Sequence, residues 1–197
     1  MTDIKNATPA ELTRTIDGVT IPSPGTFKLD PSHIEIGFAV RHMMVAKVHG
    51  RFAKADGTVV IAEDPTNSTV EVTIETASID TREENRDAHL RSPDFLDVER
   101  FPTMTFRSTE VRRAGQGRWN VVGDLTIRDV TKPVALDTTF EGVVQDPYGN
   151  QRIGVSAVAE IDREEFGLTW NAALEAGGMV VGRQVKIEIE AEAIRQA

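Results

Sequence analysis

Apolar and polar residues alternate along most of this chain. From Ser32 onward Ile34, Ile36, Phe38 and Val40 share one parity, and His33, Glu35, Gly37, Ala39 and Arg41 share the other. That alternation puts the two sets on opposite faces of a strand. The same signal recurs around Val70, Val72 and Ile74, at Met104 and Phe106, from Trp119 to Ile127, from Val134 to Phe140, from Ile153 to Ile161, and from Val185 to Ala191. The stretch from Lys47 to Ile61 adds one long bent strand or two short ones, with Gly57 near the break. The C-terminal strand is the clearest, because Lys186, Glu188, Glu190 and Glu192 alternate strictly with apolar neighbours. The pattern predicts an inward set of Phe38, Val40, Val72, Phe106, Val121, Leu125, Leu136, Phe140, Val155, Ala157, Ile187 and Ile189.

Strands that are polar on one face belong to antiparallel sheets, since parallel sheets are covered on both faces and read as continuous apolar runs. No series of crossover helices separates these strands, so a doubly wound α/β fold is excluded. Several strands are long, and Gly123 and Gly142 fall within them at positions read as inward. Internal glycines suit the bending of a closing barrel and leave room inside it. The expectation is an all-β, lipocalin-like, eight-stranded antiparallel β-barrel with a short helical cover. Residues 1–26, punctuated by Pro9, Pro22, Pro24, Gly18 and Gly25, read as an N-terminal extension, with a helical turn after Thr8-Pro9. The barrel domain is assigned to residues 27–197.

The cover falls between Ser78 and Pro102. Thr81 followed by Glu84 forms a capping-box pattern opening a helix of about ten residues, and Ser92-Pro93 opens a further helical turn through Phe95 and Leu96. A second interruption, between Arg163 and Gly182, reads as a long loop or short helix at a barrel end. Arg82, Arg86 and His89 are spaced four and three apart, which places them on one helical face. They form either a hydrogen-bonded clamp on the barrel rim, with Asp87 as partner, or a head-group site at the mouth. Trp119 and Trp170 are core or rim aromatics, or ligand contacts.

Charge and composition narrow the chemistry. With 31 acidic and 22 basic residues the net charge is −9, which opposes a broad phosphate-tracking surface, so no nucleic-acid partner is expected. The absence of cysteine removes thiolate metal sites, disulfides and a cysteine nucleophile. Nucleotide-binding glycine loops, zinc-protease and serine-hydrolase motifs are also missing. His33, His42, His49 and His89 are read as structural or surface residues. A metal-dependent enzyme would need His33, His42 or His49 to converge with a carboxylate. The first residues hold no apolar run long enough for a signal-peptide core or a membrane span, so a cytoplasmic location without stable membrane insertion is expected.

A family resemblance runs through the same residues. Asp30-Pro31-Ser32-His33, the Phe38, Val40, Arg41, His42 and Met44 run, and Val48, Gly50 and Phe52 resemble the opening of the YceI-like family of lipocalin-like polyisoprenoid-binding proteins. The likeness continues through Ser78-Ile79 and Thr81, Arg86-Asp87 with His89-Leu90, Phe101-Pro102 with Met104 and Phe106, Gly123 with Leu125-Thr126-Ile127, and Arg163 with Glu165-Phe166-Gly167. This resemblance implies a barrel whose apolar tunnel holds a polyisoprenoid or the tail of an isoprenoid quinone, with no cofactor required and no catalytic residue. It also makes a homodimer an expectation. The binding candidates are then Phe38, Val40, His42, Phe52, Phe106, Trp119, Leu125, Phe140, Ala157, Trp170 and Ile187, with Arg82, Arg86, Asp87 and His89 in the cover. Two other readings compete: a stress-linked structural or interaction protein with a packed barrel, and the metal-dependent enzyme.

Overall fold

The computed structural model describes residues 12–175 and 177–197. Eight antiparallel strands close on one another. β3 (Gly25–His42) pairs along one edge with β12 (Val181–Arg195) and along the other with two short strands in succession, β4 (Ala46–Phe52) and β5 (Ala55–Ile61). Those two act as a single bent strand. From β5 the pairing continues through β6 (Thr69–Glu75), β8 (Thr103–Arg113), β9 (Arg118–Ile127), β10 (Val130–Gln145) and β11 (Gln151–Asp162) back to β12. The two-residue β7 (Ile79–Asp80) adds only a short pairing on β4. The break between β4 and β5 falls at Ala53-Lys54 rather than at Gly57, which lies inside β5 opposite Val72. Ala53 donates instead to the Ser78 carbonyl, which turns the chain away from β3.

Each barrel end is closed differently. At one, β1 (Thr13–Ile16) and β2 (Val19–Pro22) form a hairpin around Asp17-Gly18, whose φ values of 51° and 77° mark a primed turn matched to strand twist. Leu12, Val19 and Ile21 are buried there, and Gln151 Nε2 donates to the Leu12 carbonyl at 3.0 Å. Phe27, Ile153 and Ala193 form a tight core beneath it. The helical turn expected after Thr8-Pro9 lies outside the described residues.

The other end carries α1 (Glu84–Arg91) and the turns after it, whose Phe95 and Leu96 are buried. Thr81 is not the helix cap. Glu83 takes that place, its carboxylate accepting from the Asn85 and Arg86 amides at 3.1 and 2.6 Å. Thr81 is already engaged, because its amide and hydroxyl both donate to the buried Asp87 carboxylate. Arg82, at φ 62°, turns the chain outside the helix and is exposed, so it does not share a helical face with Arg86 and His89. Arg86 instead donates to the Thr81 hydroxyl and carbonyl at 2.8 and 2.9 Å, and Arg91 reaches the Ala77 and Ile79 carbonyls at 2.9 and 2.6 Å. The cover is therefore tied to β7 through charged hydrogen bonds. Arg86→Ala is expected to cost about 1–3 kcal/mol, because it removes the donor to the hydroxyl and carbonyl of the buried Thr81. Urea denaturation measures this directly, and a loss below about 0.5 kcal/mol would reduce Arg86 to a surface role.

Candidate functional site: an apolar cavity through the barrel

Alternating inward residues from all eight strands enclose a cavity of about 330 Å³, toward the lower end of the range for small-molecule sites. Its wall is almost wholly aliphatic and aromatic. Only Ser68, Thr138, Arg163 and the Trp119 indole bring polar side-chain groups to it. All twelve residues predicted to point inward line it, and so do nine of the eleven binding candidates: Phe38, Val40, Phe52, Phe106, Trp119, Leu125, Phe140, Ala157 and Ile187. Phe38 and Phe52 meet at a ring-centroid distance of 5.7 Å, making one aromatic section of the wall.

The other two candidates lie elsewhere. His42 is the last residue of β3, paired with Ala46 and Val181, and the inward alternation ends one step before it as the turn begins. Trp170 sits on the loop between β11 and β12 and packs on His89 and Phe95, at 4.6 and 5.3 Å between ring centroids. His89 also meets Asp94 at 2.9 Å. None of Arg82, Arg86, Asp87 and His89 reaches the cavity wall, so the cover supplies a clamp and an aromatic cluster rather than a head-group site. What the cover does bring to the wall is apolar: Leu90, Phe95 and Leu96.

Three groups of residues at the site escape period-two reading. Ile21 and Pro22 reach the cavity from the β1–β2 hairpin, whose Asp17-Gly18 turn between two short apolar-containing runs is a recognisable hairpin signal. Leu168 follows Gly167, which holds φ 76° and ends the single 3₁₀ turn Arg163–Phe166. Arg163 itself is buried and touches the cavity end. Its guanidinium donates to the carbonyls of Gly182 (2.9 Å), Trp170 (3.0 Å), Val181 (3.3 Å) and Leu168. Burial pulls its pKa down, yet a guanidinium stays charged. Four of its five N–H donors are spent on the closing loop, so Arg163 latches that loop and has little left for a ligand.

A polar cluster lies on the barrel's outer surface. Arg152 donates to Asp30 (2.5 Å), Asp146 (2.8 Å) and Glu192 (3.1 Å), and His33 Nδ1 meets Asp30 at 3.0 Å. Asp30, His33 and Glu192 bring ligand-type atoms within 4.8 Å of one another, the convergence that a metal reading asked of His33. The Arg152 guanidinium, however, is seated on two of those three groups and supplies the positive charge there. Its hydrogen bond holds the Asp30 carboxyl far below the usual carboxylate range, with the Ser32 amide and His33 adding to the effect. Asp146 is lowered similarly by Asn150 and then Arg152. A carboxylate with a depressed folded pKa contributes stability above its unfolded value that is lost as pH falls toward the folded one. The melting-temperature gap between wild type and Arg152→Gln should therefore hold steady at neutral pH and narrow below about pH 4, the range of unpaired Asp. A gap that stayed constant down to full acid unfolding would show that the network carries no net linkage.

The fold and the cavity together define a closed antiparallel barrel with an apolar interior, the architecture of proteins that enclose a hydrophobic ligand. Residues 27–193 match the YceI-like domain, and the chain belongs to the YceI-like family. A UPF0312 protein of Staphylococcus aureus is 39% identical over 171 residues, covering 84% of this chain and 95% of that protein. Among solved structures, BcnA of Burkholderia cenocepacia superposes with a TM-score of 0.71 at 22% identity, over 83% of this chain and 98% of that one. A polyisoprenoid-binding domain from Saccharophagus degradans, implicated in plant cell wall breakdown, does so with a TM-score of 0.66 at 13% identity, over 88% and 100%. At those identities the likeness establishes the fold alone.

Proposed function

We propose that this protein binds one long apolar chain, a polyisoprenoid or the tail of an isoprenoid quinone, inside the barrel and carries or stores it without transforming it. The observation behind this reading is the cavity wall, which is apolar from the β1–β2 hairpin to the helical cover and carries no carboxylate or imidazole among the described residues. Each enclosed methylene contributes about 0.8 kcal/mol, so twenty carbons would give a gross gain of order 16 kcal/mol. Ordering the tail and immobilising the complex remove a large share of that gain. Apolar contact thus suffices for affinity, and it discriminates poorly between head groups because so few polar groups face the ligand. The name of the Saccharophagus domain supports the ligand class.

Native mass spectrometry of gently purified protein, followed by lipid extraction and by titration with a long-chain isoprenoid quinone, tests the reading. One chain per barrel is expected, together with quenching of Trp119 on the wall. A barrel that takes up no apolar chain under any of these conditions would instead favour a structural or interaction role.

A further inference from the structure

The tip of the β3–β4 hairpin breaks two local rules at once. His42 to Val45 form a turn closed by the Val45 amide on the His42 carbonyl at 3.2 Å, with φ values of 49° at Met43 and 63° at Met44. A primed turn of this kind favours Asn-Gly, because a side chain in the left-handed region is sterically costly. Two methionines occupy it here. They do not gain burial in exchange: Met43 is 44% exposed, Met44 60% and Val45 84%. Met179, 50% exposed, lies on the neighbouring loop, where Gly178 approaches the Met44 side chain. These four account for most of the large exposed hydrophobic residues among the described residues.

The second broken rule concerns charge. Arg41 and Lys47 are directly opposite in the β3–β4 register, both exposed, and neither forms a salt bridge among the described residues. Like charges facing each other across a strand pair are destabilising. The placement stands out in a chain of net charge −9. Nearby cations are balanced locally, Arg183 by Asp162 and Glu164 and Lys186 by Glu188, while Glu175 is exposed on the adjoining loop.

The tip is continuous with the cavity. The Met43 amide donates to the Val180 carbonyl at 2.8 Å, and Val181 and Val40 are both on the wall. We propose that the tip is a docking surface for a lipid bilayer carrying anionic head groups, placed at the barrel end where an apolar tail would cross between membrane and cavity. The flexible side chains of Met43, Met44 and Met179 suit insertion among disordered acyl chains, while Arg41 and Lys47 reach the head-group level. A bilayer fits this combination better than a protein groove, since apolar side chains flanked by two cations that no salt bridge holds, Arg41 donating only to the Met44 carbonyl of the tip itself, match acyl chains beneath negative phosphates. This inference rests on the tail-binding reading for the direction of traffic, but not for the docking itself.

The test uses the full chain with vesicles of pure phosphatidylcholine and of phosphatidylcholine mixed with phosphatidylglycerol. Flotation should show wild type on the mixed vesicles, weakly on the neutral ones, and released by high salt. The double variant Met43→Asn/Met44→Gly installs the residues the turn prefers, so it should melt at or above the wild-type temperature while losing vesicle affinity by about tenfold or more. Its quinone binding in vesicle-free solution should match wild type, whereas quinone transfer from vesicles should slow. Arg41→Gln/Lys47→Gln should abolish the preference for anionic vesicles. Docking is overturned if the Asn-Gly variant floats like wild type, or if wild type binds quinone in solution yet ignores both kinds of vesicle. It is also overturned if sedimentation shows a wild-type dimer that the Asn-Gly variant dissociates, which would make the tip an interface between copies. Vesicle binding without quinone uptake would support docking and remove the tail from the account.

Discussion

Ala157→Trp should abolish uptake of an isoprenoid tail while leaving the barrel folded. Ala157 lies in β11 between Thr138 of β10 and Ile189 of β12, nearly buried, with its methyl on the cavity wall. An indole at this place projects into the free volume a tail would use. Overpacking a filled core costs about 1–3 kcal/mol, but this side chain enters open space, so the penalty should fall at the low end. Far-UV circular dichroism and a cooperative melt establish folding first. Tail binding is then followed by native mass spectrometry, which does not depend on the added tryptophan. His42→Ala serves as the control, since His42 stands outside the wall and its loss should change affinity only modestly. A well-folded Ala157→Trp protein that still binds the tail would place the ligand outside the cavity.

Gly123→Phe is expected to leave no folded barrel, and Gly123→Ala to cost about 1–3 kcal/mol. Although Gly123 has the inward parity of Val121 and Leu125, it does not open space for a ligand. A Cβ there would lie 2.5 Å from the Arg107 carbonyl oxygen and 2.5 and 2.8 Å from two carbons of the Phe106 ring. The Phe106 ring lies over the glycine and takes the volume its absent side chain leaves, a recurrent way of packing glycine in a sheet. The carbonyl is fixed by the β8–β9 ladder and cannot yield cheaply, whereas the ring can swing only into the cavity. Urea denaturation of Gly123→Ala decides between the two responses. A change under about 0.5 kcal/mol, accompanied by weaker tail binding, would mean that the ring has swung inward. Gly142 likewise gives the cavity no room: it sits at the β10–β11 bulge with φ 146° and lines no part of the wall.

The wall was legible because strand geometry makes it so. Successive side chains of a strand point to opposite faces, so parity alone assigned Phe38, Val40, Phe106, Leu125 and Ile187 to one side. Antiparallel pairing followed from the wet opposite face and the missing crossover helices, and closure from long strands with internal glycines. The ends of the barrel follow no such period. His42 was misplaced by carrying the inward alternation to the last residue of its strand, where the turn takes over, and Trp170 because a loop carries no parity to read. The capping-box motif at Thr81 was a genuine local pattern that lost to a tertiary one, since Asp87 engages the Thr81 hydroxyl before it can cap anything.

By itself, then, the sequence determined the fold class, the inward set and the apolar character of the interior, all consequences of a two-residue repeat and of side-chain chemistry. The tertiary structure alone decided what closes that interior and what stands at its mouth. Arg152 meets Asp30 across 122 positions, Arg163 latches a loop through four carbonyls, Phe106 covers Gly123, and the loop at Gly178 and Val180 comes alongside Met43 and Met44. Such contacts depend on shear, strand tilt and loop path. These properties emerge only when the sheet closes, and no local pattern encodes them.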